Sequence, residues 1–150
     1  MTVPIPKTVA WLGYGGLLPF IALAALVWLL PDQAPALLSA LQAYSAVILS
    51  FVGALHWGFA VALPALDADS RNASYVWSVI PALLAWVALI APQSIAMGML
   101  VSGFLLQYGR DRALAQRSSL PGWYLGLRLQ LTSVASLCLI AAGLTLVVKV

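Results

Sequence analysis

The residues of this chain best suited to chemistry are polar side chains in or beside apolar segments. The only histidine, His56, and one arginine, Arg128, fall inside such segments, and Gln107 and Asp111 lie one turn apart at the end of another. Polar groups inside a bilayer cost about 2–3 kcal/mol on insertion scales, so each is a candidate site until a partner explains it. Together they predict a polar pocket that offers hydrogen-bond donors to a headgroup, a quinone carbonyl or an anion.

Aromatic residues are expected at the same depth as these polar groups. The candidate walls of the pocket are Tyr14, Trp57, Trp77, Trp123 and Tyr124. An interfacial aromatic belt would place them there as well, with Arg128 reaching the headgroups or pairing with Asp111. In that interpretation His56 donates to a backbone carbonyl or to Gln107. The sequence leaves the ligand pocket and the belt both open.

Composition excludes a soluble protein and several kinds of site. Of the 150 residues, 63% are hydrophobic and 7% are charged, against about 25% charged in a typical soluble domain. One cysteine, Cys138, excludes an internal disulfide and multi-cysteine metal sites, and one histidine excludes a polyhistidine site. We therefore expect no metal and no cofactor. Seven basic residues against four acidic ones provide no face for nucleic acid.

Five apolar segments meet or approach the roughly 20 residues that a membrane-spanning helix needs. They cover about 8–30, 38–63, 74–91, 94–109 and 123–148, and breaks containing proline or polar residues separate them. These segments predict an all-α integral membrane protein, a single domain over residues 1–150 built as a five-transmembrane-helix bundle. We also expect the fourth helix to continue past Gly109 as an amphipathic extension to Arg117.

The distribution of charge predicts the orientation in the membrane. One side carries Lys7, Arg71, Arg110, Arg112 and Arg117, whereas the other carries only Lys149. The positive-inside rule then predicts a cytoplasmic amino terminus and a periplasmic carboxyl terminus. We expect a multi-pass protein of the bacterial cell inner membrane, with the polar pocket on the cytoplasmic side. No carboxylate falls within a predicted span, which argues against a proton-coupled pump.

Small residues recur at every fourth position of the second segment. This row is Ala46, Ser50, Ala54, Gly58 and Ala62. Small residues at this spacing let helix backbones approach closely in a bilayer. We expect the row to pack inside the bundle, with contact to a second copy in a homo-oligomer as the alternative.

Three stretches of the sequence resemble the domain of unknown function 3429 family, which includes transmembrane protein 69-like membrane proteins. They are LGYGGLLPF at 12–20, YSAVILSFVGALHWG at 44–58, and LPGWY at 120–124 followed by Leu127–Arg128 and by Leu131–Thr132. The resemblance implies a five-span membrane protein and no particular reaction. The positions that match the family pattern are Gly53, His56, Trp57, Gly58, Pro121, Trp123, Tyr124 and Arg128.

The leading functional hypothesis is a non-enzymatic membrane protein whose pocket at His56 and Arg128 binds a lipid or quinone, or docks a membrane-protein partner. A second hypothesis is a small transporter or channel built from two helical hairpins, which would need a polar path through both leaflets. A third is an enzyme that uses His56 as an acid or base. The sequence places no nucleophile, metal or cofactor motif beside His56.

Overall fold

Every regular element in the computed structural model, which describes residues 4–148, is helical. The elements are α1 (Lys7–Gly15), α2 (Leu18–Leu29), a 3-10 turn (Pro31–Gln33), α3 (Ala34–Ala62), α4 (Ala68–Ile90), α5 (Gln93–Ala115) and α6 (Tyr124–Val148). The prediction of an all-α protein is therefore confirmed for this part of the chain. Lys149, which entered the orientation prediction, lies outside the described residues.

The first predicted span is interrupted between α1 and α2. Pro19 has no N–H to donate to the Gly15 carbonyl, so the regular helix stops and restarts. Next to this break, the hydroxyl of Tyr44 donates to the Gly16 carbonyl at 2.9 Å. The stretch Lys7–Leu29 is nevertheless long and apolar enough to cross a membrane.

Four stretches qualify as membrane spans by length and hydropathy: Lys7–Leu29, Pro31–Ala62, Ala68–Ile90 and Tyr124–Val148. The fifth predicted span corresponds to α5. It has 23 residues, but its second half carries Arg110, Asp111 and Arg112 and is less apolar. The structure thus supports four of the five predicted spans on composition, and α5 packs as the remaining long helix of the bundle.

Two helices begin earlier than predicted, and the predicted extension of a third is shorter than expected. Helix α3 begins at Ala34 rather than at 38, because Pro35 is compatible with the first helical turn. Helix α4 begins at Ala68 rather than at 74, because Asp67 caps it by accepting from the Ser70 N–H at 2.7 Å. Helix α5 ends at Ala115, so the extension past Gly109 is real but stops short of Arg117.

Helix α3 lies at the centre and contacts α2, α4, α5 and α6. Two glycines permit the closest approaches. A Cβ on Gly53 of α3 would lie 2.7 Å from the Pro81 ring of α4, and one on Gly103 of α5 would lie 2.6 Å from Leu49. Close backbone approach of this kind is what stabilises helix association where lipid and side chains are equally apolar.

The predicted row of small residues mostly faces outward. Ala46 is buried and Ser50 half-buried, whereas Ala54, Gly58 and Ala62 are exposed, and a Cβ on Gly58 would meet nothing within 4 Å. Beyond Ser50 the row therefore makes no close packing inside the described bundle, because Gly53, one position earlier than Ala54, faces α4 instead. The homo-oligomer alternative stays a prediction.

Candidate functional site

A buried carboxylate, Asp111, lies at the centre of the polar cluster. Its Oδ1 atom accepts hydrogen bonds from His56 Nε2 and Gln107 Nε2, both at 3.0 Å. Its Oδ2 atom lies 2.6 Å from Nε of Arg128. Asp111 is fully buried, and His56 and Arg128 are 1% and 6% exposed. The cluster therefore joins α3, α5 and α6.

Gln107 fixes the geometry of this cluster on α5. It lies one helical turn before Asp111, so both side chains occupy the same face. Its amide nitrogen also donates to the Val52 carbonyl of α3 at 3.3 Å. Its amide oxygen accepts from the indole N–H of Trp77 at 2.8 Å, which brings α4 into the same network.

The cluster is costly to bury unless its charges are paired. Removing a carboxylate and a guanidinium from water costs several kcal/mol each, and a close pair with further hydrogen bonds offsets much of that. Asp111 meets this requirement because both of its oxygens are occupied, by a cation on one side and by an imidazole and an amide on the other. The sequence analysis gives pairing with Asp111 as one of two structural explanations for Arg128, the other being contact with the lipid headgroups.

The ion pair does not account for every polar atom around it. Among the described residues, four buried atoms near the cluster have no hydrogen-bond partner: His56 Nδ1, Arg128 Nη2, the Tyr124 hydroxyl and Thr132 Oγ1. An unsatisfied buried polar group costs about 1–3 kcal/mol, so a bound ligand, ion or water is the usual explanation. The cluster thus offers hydrogen-bonding capacity that the chain itself does not use.

Two of these atoms belong to the wall of an apolar pocket. The pocket has a volume of about 110 Å³ and lies between the α1–α2 break and α3, α5 and α6. Its lining is Leu12, Gly13, Gly16, Leu17, Phe20, Ile48, Phe51, Val52, Phe104, Arg128, Leu131, Thr132 and Ala135. Arg128 and Thr132 are its polar members. We refer to it below as the apolar pocket.

A second cavity lies on the other side of Asp111. This polar cleft has a volume of about 70 Å³ and is lined by His56, Ser70, Ala73, Ser74, Arg110, Ala113, Leu114 and Arg117. It shares no lining residue with the apolar pocket. His56 lines the cleft and Arg128 lines the pocket, so Asp111 connects two chemically different cavities.

The structure brings together His56, Gln107, Asp111, Arg128 and Trp77, as the sequence predicts. Tyr124 is 8% exposed, and its ring packs on Phe59, which in turn packs on His56. Trp123 is half-buried beside Tyr124.

Trp57 and Tyr14 lie away from the cluster. Trp57 is 55% exposed and packs on Tyr75. Tyr14 is 42% exposed, and its hydroxyl donates to the side chain of Gln130. Both remain surface aromatics, placed as an interfacial belt would place them.

Several lining residues were missed in the sequence. Thr132 lies four positions after Arg128, and Ser74 lies four after Ser70, so a four-residue spacing was the available signal. In the sequence, Arg110 and Arg117 indicate only the orientation of the protein in the membrane. Their place in a cleft depends on where α5 ends relative to α4, which the sequence does not specify.

Asp111 also changes one argument made from the sequence. The predicted fourth span ends at 109, so the sequence predicts that Asp111 lies outside the membrane interior and that no carboxylate lies within it. Helix α5 continues past it and buries it completely. The absence of an interior carboxylate therefore no longer counts against proton-coupled chemistry.

The half of the bundle away from this cluster is filled by apolar side chains. Leu41, Leu49, Leu100 and Leu139 are fully buried there. Two of its buried polar side chains bond to helix carbonyls, Gln42 to Ala88 and Thr145 to Ala142.

The side chains of the cluster can bind a ligand through hydrogen bonds. Among the described residues, no three histidine, cysteine, aspartate or glutamate side chains converge as metal ligands. The long apolar helices and the buried polar network define a multi-pass helical membrane protein.

Comparison with known proteins places the chain within that class. Residues 5–144 match the family described as protein of unknown function (DUF3429), and the chain belongs to this family. The resemblance seen in the sequence is thereby confirmed.

Two similar proteins are both called transmembrane protein 69. The one from Xenopus tropicalis is 34% identical over 144 residues, covering 91% of this chain and 54% of the relative. The one from Mus musculus is 27% identical over 133 residues, covering 87% and 53%. The chain thus spans about half the length of these curated relatives. No solved structure matches it.

Proposed function

We propose that the chain is a non-enzymatic membrane protein that binds one amphiphilic molecule, a lipid or a quinone, in the apolar pocket. The observation that carries this proposal is a pair of unpartnered polar atoms, Arg128 Nη2 and Thr132 Oγ1, in an otherwise apolar lining. A molecule with an apolar body and one oxygen acceptor matches that lining.

The fixed orientation of Arg128 supports this choice of ligand. Asp111 holds Nε of Arg128 at 2.6 Å, so the guanidinium is positioned before any ligand arrives. A planar guanidinium donates from more than one nitrogen, and its remaining N–H groups suit a carbonyl or phosphate oxygen. The Thr132 hydroxyl, one turn further along α6, supplies a second contact.

The proposal includes five membrane spans, with α5 as the fourth. Helix α5 packs against α3, α4 and α6, and its polar residues Gln107 and Asp111 face inward rather than toward lipid. The excess of arginine on one side favours a cytoplasmic amino terminus, and a bacterial inner membrane remains the predicted location.

A topology reporter tests this orientation directly. A reporter active only in the periplasm should work when fused after the last residue and fail when inserted within 116–122. Activity at 116–122 with none at the carboxyl terminus would reverse the orientation and put the polar cluster on the periplasmic side.

The ligand itself is tested by extracting the protein with its surrounding membrane into polymer-bounded discs, without detergent. Mass spectrometry then compares the compounds held by the protein with those of the bulk membrane. We expect one lipid or quinone class to be enriched in wild type and reduced in Thr132→Val, which keeps the shape of the side chain and removes its hydroxyl.

Ser136→Ala is the matched control. Ser136 is also buried with an unpartnered hydroxyl on α6, but it does not line the pocket. Equal enrichment in wild type and both variants would contradict the proposal. A stoichiometric co-purified protein without an enriched small molecule would instead support the docking of a partner subunit.

A further inference from the structure

We propose that the polar cleft is a separate binding site for a phosphate-class oxyanion. This goes beyond the amphiphile proposed for the apolar pocket, because the two cavities share no residue and differ in chemistry. The cleft lies among the first turns of α4 and the last turns of α5, with His56 of α3 at its inner wall.

Two guanidinium groups make the cleft electropositive. Arg110 and Arg117 both line it, seven residues and therefore two turns apart on or just after α5. None of the lining residues in the described chain is acidic. The nearby carboxylate of Asp111 is already paired with Arg128, and that of Asp67 caps α4 through Ser70. Asp67 also lies close enough to Arg117 for their charges to interact, so the excess positive charge that an anion meets in the lining comes mainly from Arg110.

The arginines retain free hydrogen-bonding capacity. Arg110 stacks over the Trp77 ring at 5.1 Å, which holds its side chain against α4. Its Nε atom is buried and has no partner among the described residues. Arg117 is exposed, and its Nη1 atom donates to the Ser70 hydroxyl over a long distance of 3.4 Å. Both can donate to an oxyanion without breaking a strong bond.

His56 provides the independent sign of a ligand. It is 1% exposed, and its Nδ1 atom has no hydrogen-bond partner among the described residues. Its Nε2 atom is committed to Asp111, which leaves Nδ1 for the cleft. As an imidazolium the ring donates from Nδ1 to a phosphate oxygen, and as a neutral ring it accepts from a phosphate hydroxyl. Either form of the ring therefore makes a contact with phosphate.

The size of the cleft agrees with a small ion. One water needs about 10–15 Å³ of such space, and the cleft offers about 70 Å³. Ser70 and Ser74 of α4 also line the cleft, but their hydroxyls already donate to Asp67 and to the Ser70 carbonyl. The donors left for an anion are therefore His56 and the two arginines. Free phosphate and the phosphate of a lipid headgroup present the same chemistry to these groups.

Because His56 is the only histidine, its imidazole gives a single reporter of the site. The protein, labelled with ¹³C and ¹⁵N at histidine, is placed in phosphatidylcholine discs, and the imidazole resonances are followed as inorganic phosphate replaces chloride at constant ionic strength. A second sample uses discs containing phosphatidic acid without added phosphate. We expect a saturable shift of the Nδ1 resonance in at least one of the two samples.

Arg117→Gln and Arg112→Gln form the matched pair of variants. Arg112 is an exposed arginine of α5 that does not line the cleft, so its loss changes the net charge equally. We expect Arg117→Gln to weaken the response by about tenfold, the loss of one charge-assisted hydrogen bond. We expect Arg112→Gln and Thr132→Val to leave it unchanged.

The two samples distinguish the possible sources of the phosphate group. A response to free phosphate assigns a soluble oxyanion, and a response only to phosphatidic acid assigns a lipid headgroup. No shift in either sample, or equal weakening by both arginine variants, would overturn the site. The amphiphile in the apolar pocket is tested independently, because Thr132 does not line the cleft.

Discussion

The Asp111 carboxylate lies 2.6 Å from Nε of Arg128 and 3.0 Å from Nε2 of His56, so a single acidic residue holds α3, α5 and α6 together. Its two partners line different cavities, since His56 lines the polar cleft and Arg128 lines the apolar pocket. Asp111 therefore stabilises the packing of the three helices and also orients a lining residue of each candidate binding site.

Removing one partner of this pair should destabilise the protein strongly. Asp111→Leu leaves the Arg128 guanidinium buried without a counter-charge, and breaking a buried pair in this way costs about 3–5 kcal/mol. The free energy of unfolding, measured by denaturant titration in mixed micelles, reports the loss. The double variant Asp111→Leu/Arg128→Leu should recover most of it, since an apolar pair buries no charge. Additive losses in the double variant would contradict the coupling.

Two glycines of α3 should respond oppositely to the same substitution. Gly53→Ala places a Cβ 2.7 Å from Pro81, and such overpacking costs about 1–3 kcal/mol. Gly58→Ala meets nothing within 4 Å and gains up to about 1 kcal/mol of helix propensity. Thermal unfolding of both variants in the same detergent tests this, and equal stability would show that α3 and α4 are not in close contact at Gly53.

The start of α4 should be insensitive to pH until strongly acidic conditions. The backbone N–H of Ser70, donating to Asp67, holds the pKa of Asp67 below its ordinary value, with its hydroxyl adding to the effect. The cap therefore contributes fully above the ordinary aspartate pKa of about 3.9 and is lost as the pH falls through the lowered folded pKa. The protection of the Ser70 amide against hydrogen exchange, taken relative to the intrinsic exchange rate at each pH, should decrease only in that range. A loss of protection already at mildly acidic pH would contradict the cap.

Hydropathy predicts the order of the long helices, but it does not predict the break that divides the first span into α1 and α2. Proline and capping signals refine the bounds, but their effect was underestimated, since Asp67 starts α4 six residues before the predicted 74. The helix of lowest hydropathy, α5, was correctly expected to continue past Gly109. Neighbouring helices bury Gln107 and Asp111 in its polar second half. Hydropathy averaged along a single segment cannot detect burial of this kind.

Only part of the candidate site can be predicted from the sequence, because the rest depends on contacts between helices. His56, Gln107 and Arg128 stand out in the sequence because polar side chains are rare in apolar segments. The apolar pocket depends on the break between α1 and α2 and on Gly13 and Gly16 facing α6 and α3. Such shape complementarity arises from tertiary packing and leaves no spacing pattern. Thr132 belongs to a stretch that resembles the family, but its place in the pocket lining follows only from the tertiary packing.

Substitutions at position 128 distinguish an arginine that binds a ligand from one that only reaches the lipid headgroups. Lysine preserves the charge opposite Asp111 but lacks the planar fork, whereas leucine removes both. A merely snorkelling side chain would accept lysine without loss. Retention of the amphiphile should therefore decrease from Arg128 to Arg128→Lys and further to Arg128→Leu.

Photo-crosslinking from within the membrane measures that retention most directly. Phe51 lines the apolar pocket and is 61% exposed, so a benzophenone amino acid at this position reaches both the pocket and the surrounding lipid. Trp86 is equally exposed at 61% but lies on the surface between α3 and α4. A benzophenone there samples bulk lipid and also controls for the folding of each variant.

The decisive measurement is the mass of the covalent adduct formed at each position, in wild type and in the Arg128→Lys and Arg128→Leu variants. The account predicts one dominant lipid or quinone adduct at position 51, decreasing in that order, and an unchanged mixture of bulk lipids at position 86. The same mixture at both positions, unaffected by the residue at 128, would show that the apolar pocket holds no specific amphiphile.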